Sequence, residues 1–336
     1  MVFKQAFRGC LAKPHSHPCI HYCDHKDLNQ VSDSLNDTLT GASRNPPWDL
    51  AAVISQLVIY PVKSCAGVQR QQALLTKTGL EFDRTWMVVD AQGEFLTQRT
   101  LPRMALIQPQ LKRYEMVLSA PGMRALHVAL EGVESRVCVS LWKDEFLAHD
   151  MGPIAARWFT DFLGVAARLV RFDPEHKRIS SLQWTGGIQA LNQFNDGYSV
   201  LVIGQASLDH LNERLAVEGA APVVMARFRP NIVLGPAATG YKLAPHDEDW
   251  LDLLQISTGQ GVAQLKPVKP CSRCPIPNID PASAISSPEV GDMLQRYRQD
   301  PRVDGAVTFG MNAIVLRGMD YMLKVGQDVG ANYRFE

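Results

Sequence analysis

No stretch of the sequence is apolar for long enough to cross a bilayer as a helix. Runs such as Leu57 to Tyr60 and Val200 to Ile203 are strand-length, well short of the roughly 20 residues a spanning helix needs. Nor does any segment read as a basic stretch, an apolar run and a small-residue cleavage site, so no secretion signal is expected. Neither sign of charge is in excess, since 34 Lys and Arg balance 34 Asp and Glu. A chain with no summed field is not drawn onto nucleic acid or an anionic membrane, and neither is expected as a partner. Seven cysteines, an odd number at uneven spacing, do not make a disulfide framework, and a reducing, cytoplasmic compartment is the expectation.

What is present is enough for a large core: 336 residues, 46% of them hydrophobic, suffice for one large domain or two ordinary ones. Residues 1–50 differ in texture from the rest, being polar and aperiodic, with His15, His17, His21, His25, Cys10, Cys19 and Cys23 close together. A disordered extension is expected there. A zinc site is the competing reading, because imidazole and thiolate are its ligands, but the spacing fits no zinc module.

From Val53 onward short β-rich runs follow one another. Val53–Tyr60, Trp86–Asp90, Glu94–Thr97, Tyr114–Leu118, Leu126–Leu130 and Val137–Leu141 are apolar or alternating, with Asp90-Ala91-Gln92-Gly93 as a hairpin turn. A helix is expected after Gly152, opened by Pro153 and stopped by Gly164, with Ile154, Trp158, Phe159 and Phe162 on one face. A second strand set follows at Ala167–Phe172, Ser199–Ile203, Asn231–Leu234, Leu251–Ile256, Ala263–Val268, Ala313–Leu316 and Tyr321–Val325. Two helices interrupt it. One carries Leu208, Leu211 and Leu215; the other starts with Ser287 as cap and Pro288 in the first turn. Strands outnumber helices without regular alternation, which excludes a doubly wound parallel sheet and predicts a mainly β (α+β) fold of barrel-like sheets with accessory helices.

The sharpest local feature is Lys269-Pro270-Cys271-Ser272-Arg273-Cys274-Pro275, expected as a proline-stiffened loop. One CxxC pair leaves four readings open: half a structural zinc site, a redox pair, a disulfide, or a single metal thiolate with a packed neighbour. Other strand-end segments bear on the choice. Tyr60-Pro61-Val62-Lys63-Ser64-Cys65, Phe82-Asp83-Arg84-Thr85-Trp86 and Arg227-Phe228-Arg229-Pro230-Asn231 each bring Lys, Arg, Ser or Asn to a turn. Arg grips phosphate in a bidentate fork, Lys acts as a point charge, and Asn offers donor and acceptor together, a set suited to an anionic, amide-rich cofactor. Each residue also has a plainer reading. Arg84 pairs with Asp83, Lys63 is a solvated turn residue, and Asn231 serves the turn after Pro230. Cys65 and Cys271 read as small packed residues and Cys138 as a core strand residue.

Six segments in order, LVIYPVKSCAG (57–67), GLEFDRTWMV (79–88), QASLDHLNERL (205–215), RFRPNIVL (227–234), CSRC (271–274) and FGMN (309–312), resemble the successive motifs of the MOSC-domain family. The branch they resemble contains the amidoxime-reducing components and their bacterial relatives, and the likeness covers residues 52–330. The resemblance implies a MOSC N-terminal β-barrel-like domain over 51–150 packed on a MOSC β-barrel domain over 151–333. It implies a molybdenum-pterin cofactor (Mo-molybdopterin) with Cys274 as the metal ligand. The cofactor-holding positions map onto Lys63, Ser64, Arg84, Arg229, Asn231, Ser272 and Arg273; Asp196, Gly197 and Tyr198 line the same site, and Asn312 ends the Phe-Gly-x-Asn motif. The wider family also carries an association with pyridoxal phosphate binding.

The activity the resemblance implies is reduction of small N-hydroxylated substrates, namely amidoximes, hydroxylamines or N-hydroxylated base analogues, with Asp196 as a candidate proton relay. Electrons would come from a separate protein: a ferredoxin, a flavodoxin or a cytochrome b5-type chain. A non-catalytic cofactor or sulfur carrier is the alternative. Three departures from the family pattern stand out. Ala66 replaces a frequent lysine, Pro275-Ile276-Pro277-Asn278 replaces an apolar and threonine run, and the sequence ends at Glu336 directly after the last strands, so neither a ferredoxin-like tail nor a membrane anchor is expected.

Overall fold

In a computed structural model of the protein, residues 48–238 and 243–334 are described. The disordered extension and the zinc site expected within residues 1–50 fall, up to position 47, outside the described residues.

Seven strands close into a ring. In ring order they are Val200–Gly204, Ile232–Pro236, Leu50–Ile59, Asp328–Tyr333, Leu251–Thr258, Gly261–Ser272 and Ala306–Arg317, and the last pairs back onto the first. Only Val200–Gly204 and Ile232–Pro236 run parallel, and a parallel pair needs a crossover, which the Gln205–Val217 helix supplies. Leu50, Ala52 and Ile54 alternate with half-buried neighbours along the first strand. They meet Ile232, Leu234, Leu254, Ile256, Leu265 and Ala313 in the barrel core.

A second sheet orders Trp86–Val89, Arg168–Phe172, Asp144–Asp150 and Arg136–Leu141, and beside it lies the meander Gln108–Leu111, Glu115–Ser119, Leu126–Ala129. The Pro153–Leu163 helix forms as expected, with Pro153 in its first turn and Gly164 in the left-handed conformation at its end. Trp158, Phe159 and Phe162 bury its apolar face against Trp86, Val88, Met116 and Leu118, whereas Ile154, expected with them, lies in the first turn and is exposed. Strands dominate throughout, as the mainly β expectation requires. No helix among the described residues is long and apolar enough to cross a membrane.

Four other local expectations are corrected. Glu94–Thr97 is not a strand: Glu94 and Phe95 make only isolated bridges, although the Asp90–Gly93 turn forms, with Asp90 Oδ1 accepting from the Gln92 and Glu94 N–H groups. Cys138 is exposed rather than core; Val139 and Leu141 face inward, and the two-residue period of a strand turns Cys138 outward. The Lys269–Pro275 segment is not a loop throughout, because the Gly261–Ser272 strand runs into it. Beyond Leu265 that strand pairs on one side only. Pro267 and Pro270 therefore forfeit no ladder bond on the other side, and the register shifts beside each. Ser287 does not cap the last helix, which spans Glu289–Tyr297 behind Pro288 without a side-chain cap. Asn278 supplies the acceptor from another loop, its Oδ1 taking the Gly291 N–H at 2.7 Å.

Candidate functional site

All twelve site residues expected from the sequence line one cavity of about 250 Å³. Lys63 and Ser64 come from the turn after the first barrel strand, and Arg84 from the turn before Trp86–Val89. Asp196, Gly197 and Tyr198 lie just before Val200–Gly204, and Arg229 and Asn231 just before Ile232–Pro236. Ser272, Arg273 and Cys274 sit at the end of the long Gly261–Ser272 strand, and Asn312 lies within Ala306–Arg317, opposite Lys269. One cavity thus gathers loops from five separate strand ends: ring closure brings four of them together, and the turn before Trp86–Val89 joins them from the second sheet.

The lining is cationic. Lys63, Arg84, Arg99, Arg229, Lys269 and Arg273 face it, with Asp196 as the only carboxylate among the lining residues. Behind the wall, buried Asp83 is the organising acid. It accepts from the Tyr60 N–H at 2.8 Å, from Arg84 Nη1 at 2.7 Å and from Asn195 Nδ2 at 3.2 Å. The plainer reading of Arg84 is therefore part of the answer, and Asp83 neutralises its charge. Asn231 is also largely committed inside the protein. Its Oδ1 accepts from Arg84 Nη1 and the Leu201 N–H, both at 3.1 Å, and its Nδ2 donates to the Val58 carbonyl at 3.2 Å. It positions Arg84 and ties three strand ends together.

Arg229 and Arg273 are different. Arg229 Nη1 donates to the Cys65 carbonyl at 2.6 Å, and its Nη2 is buried without a hydrogen-bond partner. Burial pulls its pKa down to about 10, so it stays charged at neutral pH. Arg273 donates from Nη1 to Cys271 Sγ at 3.1 Å and from Nη2 to the Phe228 carbonyl at 3.0 Å, while its Nε is buried and unpartnered. Among the described residues neither guanidinium has an acidic partner within reach of an ion pair, and buried charge without a counter-charge is costly. The Arg84 and Arg229 guanidinium carbons lie 4.4 and 4.2 Å from the centre of the Tyr60 ring. That phenol is fully buried, and burial pushes its pKa up to about 12.

Backbone strain is concentrated at the same place. Ser64 (φ 65), Arg84 (φ 50) and Arg229 (φ 59) all adopt the left-handed region, at roughly 1 kcal/mol or more each for residues other than glycine. Such conformations aim side chains that an extended backbone would turn aside.

Lys63 joins the cavity to its rim. Its Nζ donates to the Phe194 carbonyl at 2.8 Å and to Asp196 Oδ1 at 2.6 Å, and the Trp142 indole N–H reaches the same oxygen at 3.1 Å. Burial lowers the Lys63 pKa, with Asp196 opposing. For Asp196, crowding pushes the carboxyl up, but Lys63, Trp142 and Arg99 outweigh it and hold it well below the usual carboxylate range. With 72% of the Asp196 side chain exposed, water screens the pair, and the direction rests on Lys63 and Trp142.

Sequence reasoning missed Arg99, Asn195 and Lys269 in the lining and Asp83 behind it. Arg99 was within reach of the same rule that found the others, since it lies in the turn that follows the Glu94–Thr97 run, expected as a strand. Asp83 carried no signal beyond its adjacency to Arg84. Chemically, unpartnered guanidinium N–H groups suit a phosphate-bearing anion, and Cys274, half-buried on the same wall, offers a thiolate for a soft metal ion.

A closed β-barrel whose strand ends build one cation-lined, thiol-bearing cavity has the chemistry to take an anionic ligand beside a soft metal ion. Comparison with known families agrees with the motif order: the MOSC N-terminal beta barrel domain matches residues 51–166 and the MOSC domain residues 190–330. The chain belongs to the MOSC-domain family. It is 33% identical over 263 residues to mitochondrial amidoxime reducing component 2 of Rattus norvegicus, covering 74% of each chain. It is 31% identical over 255 residues to mitochondrial amidoxime-reducing component 1 of Mus musculus, covering 73% of this chain and 71% of that one. A molybdenum cofactor sulfurase of Bos taurus is 29% identical over 294 residues, which are 81% of this chain and 32% of the sulfurase.

Proposed function

We propose that the protein is a molybdenum-cofactor-dependent reductase of N-hydroxylated compounds such as amidoximes and hydroxylamines, supplied with electrons by a separate protein. The observation that carries the reading is the pairing of Cys274 with Arg229 and Arg273, whose buried N–H groups lack partners in the same cavity. In this reading Arg229, Arg273, Lys269 and Ser272 hold the phosphate-bearing pterin, and Cys274 ligates molybdenum. When bound, the cofactor supplies the two-electron chemistry that removes the N-linked oxygen as water.

The chain's own residues supply position and protons. Asp83 and Asn231 fix Arg84. Asp196 is ionised and acceptor-only, so it keeps Lys63 charged and oriented at the rim. Lys63 Nζ is then the member of the pair with a proton to give. The donor is a ferredoxin, a flavodoxin or a cytochrome b5-type chain.

The likeness to the sulfurase favours one second reading, a carrier that binds the cofactor and turns nothing over. Metal and pterin analysis of protein made in a cofactor-competent host, beside Cys274→Ser, tests the shared premise. Molybdenum near one per chain in the parent and lost in the variant supports it, and no molybdenum in either sinks it. Benzamidoxime reduction with a chemically reduced viologen then separates the two, because a carrier consumes no amidoxime.

A further inference from the structure

A second, wider cavity of about 650 Å³ adjoins the first and shares Arg99, Asp196, Ser272 and Cys274 with it. Its outer wall includes Trp142, a residue the family motifs do not contain. We propose that Trp142 determines substrate specificity, its indole forming a stacking platform that favours flat, π-bearing N-hydroxylated substrates over aliphatic ones. The proposal rests on the reductase reading above and adds the substrate class.

Trp142 occupies a place where a large side chain is costly. Leu141 pairs with Asp144, so Trp142-Lys143 is a two-residue hairpin turn. Trp142 has φ 59, while Lys143 is not among the positive-φ residues. That is the pattern of a turn whose first residue is ordinarily glycine, and bulky residues with positive φ are genuine outliers. The strained residue is also 48% exposed, so burial of apolar surface does not account for it.

The ring is nonetheless held in place. The Arg99 guanidinium lies 4.6 Å from its centre and the Phe95 ring 5.0 Å away, and its N–H is fixed on Asp196 Oδ1 at 3.1 Å. A ring clamped by a cation, an aromatic edge and a carboxylate, yet still open to the cavity that reaches Cys274, is pre-organised for a flat ligand. A cavity of this volume is in the range that encloses small molecules. Aromatic stacking adds preference beyond area alone, on the order of a five- to tenfold gain in affinity.

The test is titration of benzamidoxime and of acetamidoxime into the oxidised, cofactor-loaded protein with no electron donor, so that binding is read without turnover. The expected result is a clear preference for the aromatic ligand in the parent. In Trp142→Ala and in Trp142→Gly, which suits the turn, that ratio should fall roughly five- to tenfold. Trp142→Phe, which keeps a ring but lacks the N–H to Asp196, should retain most of it. The same ratio should appear in KM under turnover. A parent without aromatic preference overturns the proposal. So does equal weakening of both ligands in the variants, or a Phe variant that behaves like Ala, since either would mean that Trp142 only positions Asp196. A parent that binds benzamidoxime but does not reduce it would instead overturn the reductase reading and leave the platform standing.

Discussion

The cavity works by committing some charges and leaving others free. Arg84 and Lys63 carry local counter-charges in Asp83 and Asp196, whereas Arg229 and Arg273 have none among the described residues. The Lys63–Asp196 pair has a direct consequence for pH dependence. Burial lowers the Lys63 pKa and Asp196 partly restores it. Removing the carboxylate charge therefore lowers that pKa further, and protonated Lys63 is lost at a lower pH than in the parent. If Lys63 must be charged for the reaction, Asp196→Asn moves the alkaline limb of the kcat/KM profile toward lower pH and leaves the acid side in place. An alkaline limb that does not move would mean that Lys63 is not the proton source. At this scale the sequence was informative where several cations and Cys274 recur at successive strand ends in the order of the family motifs. It named Asn231 but not its cross-links to Val58, Leu201 and Arg84, which are contacts between distant segments.

Among the elements, the seam where Ala306–Arg317 pairs with Val200–Gly204 decides whether the barrel closes. Gly310 sits in that seam with φ 80, and a Cβ there would meet Ile203 Cγ1 at 2.5 Å and the Val202 carbonyl oxygen at 2.8 Å. The first contact is with a packed core side chain and the second with backbone, so neither yields cheaply. Gly310→Ala is expected to lose roughly 2–4 kcal/mol, combining the left-handed penalty with the clash. Chemical denaturation would measure it, and a loss under about 0.5 kcal/mol, the ordinary effect of a surface change, would show that the seam adapts. Because Asn312 lies two residues on and lines the cavity, the variant should lose cofactor as well. The sequence marked most of these elements through the two-residue period and the Pro and Gly punctuation. It failed at Asp144–Asp150 and Asp328–Tyr333, each a mixture of charged, small and apolar residues with no clean run. Their strand character comes from the neighbours they pair with. It also failed from Lys269 to Ser272, expected as a loop, where one-sided pairing relieves the usual exclusion of proline at Pro270.

For the molecule as a whole, a formal net charge of zero conceals a strongly uneven distribution, with six cations and a single carboxylate on one cavity wall. Neighbouring like charges repel, and the guanidinium groups of Arg229 and Arg273 are buried enough for that repulsion to count. A bound anion removes the repulsion and stabilises the folded state by mass action as well. Protein from a host unable to make the pterin should therefore unfold at a lower temperature than loaded protein. It should also respond differently to salt. Raising sodium chloride from about 20 to 300 mM shortens the Debye length from roughly 20 to 6 Å, which screens the cavity cations only where no ligand already neutralises them. Thermal scans of both forms at the two salt concentrations should show Tm rising more in the unloaded protein, so that the gap between the forms narrows. A gap that is the same at both concentrations would mean that the cavity's charge is compensated from within, and that Arg229 and Arg273 do not hold an anion.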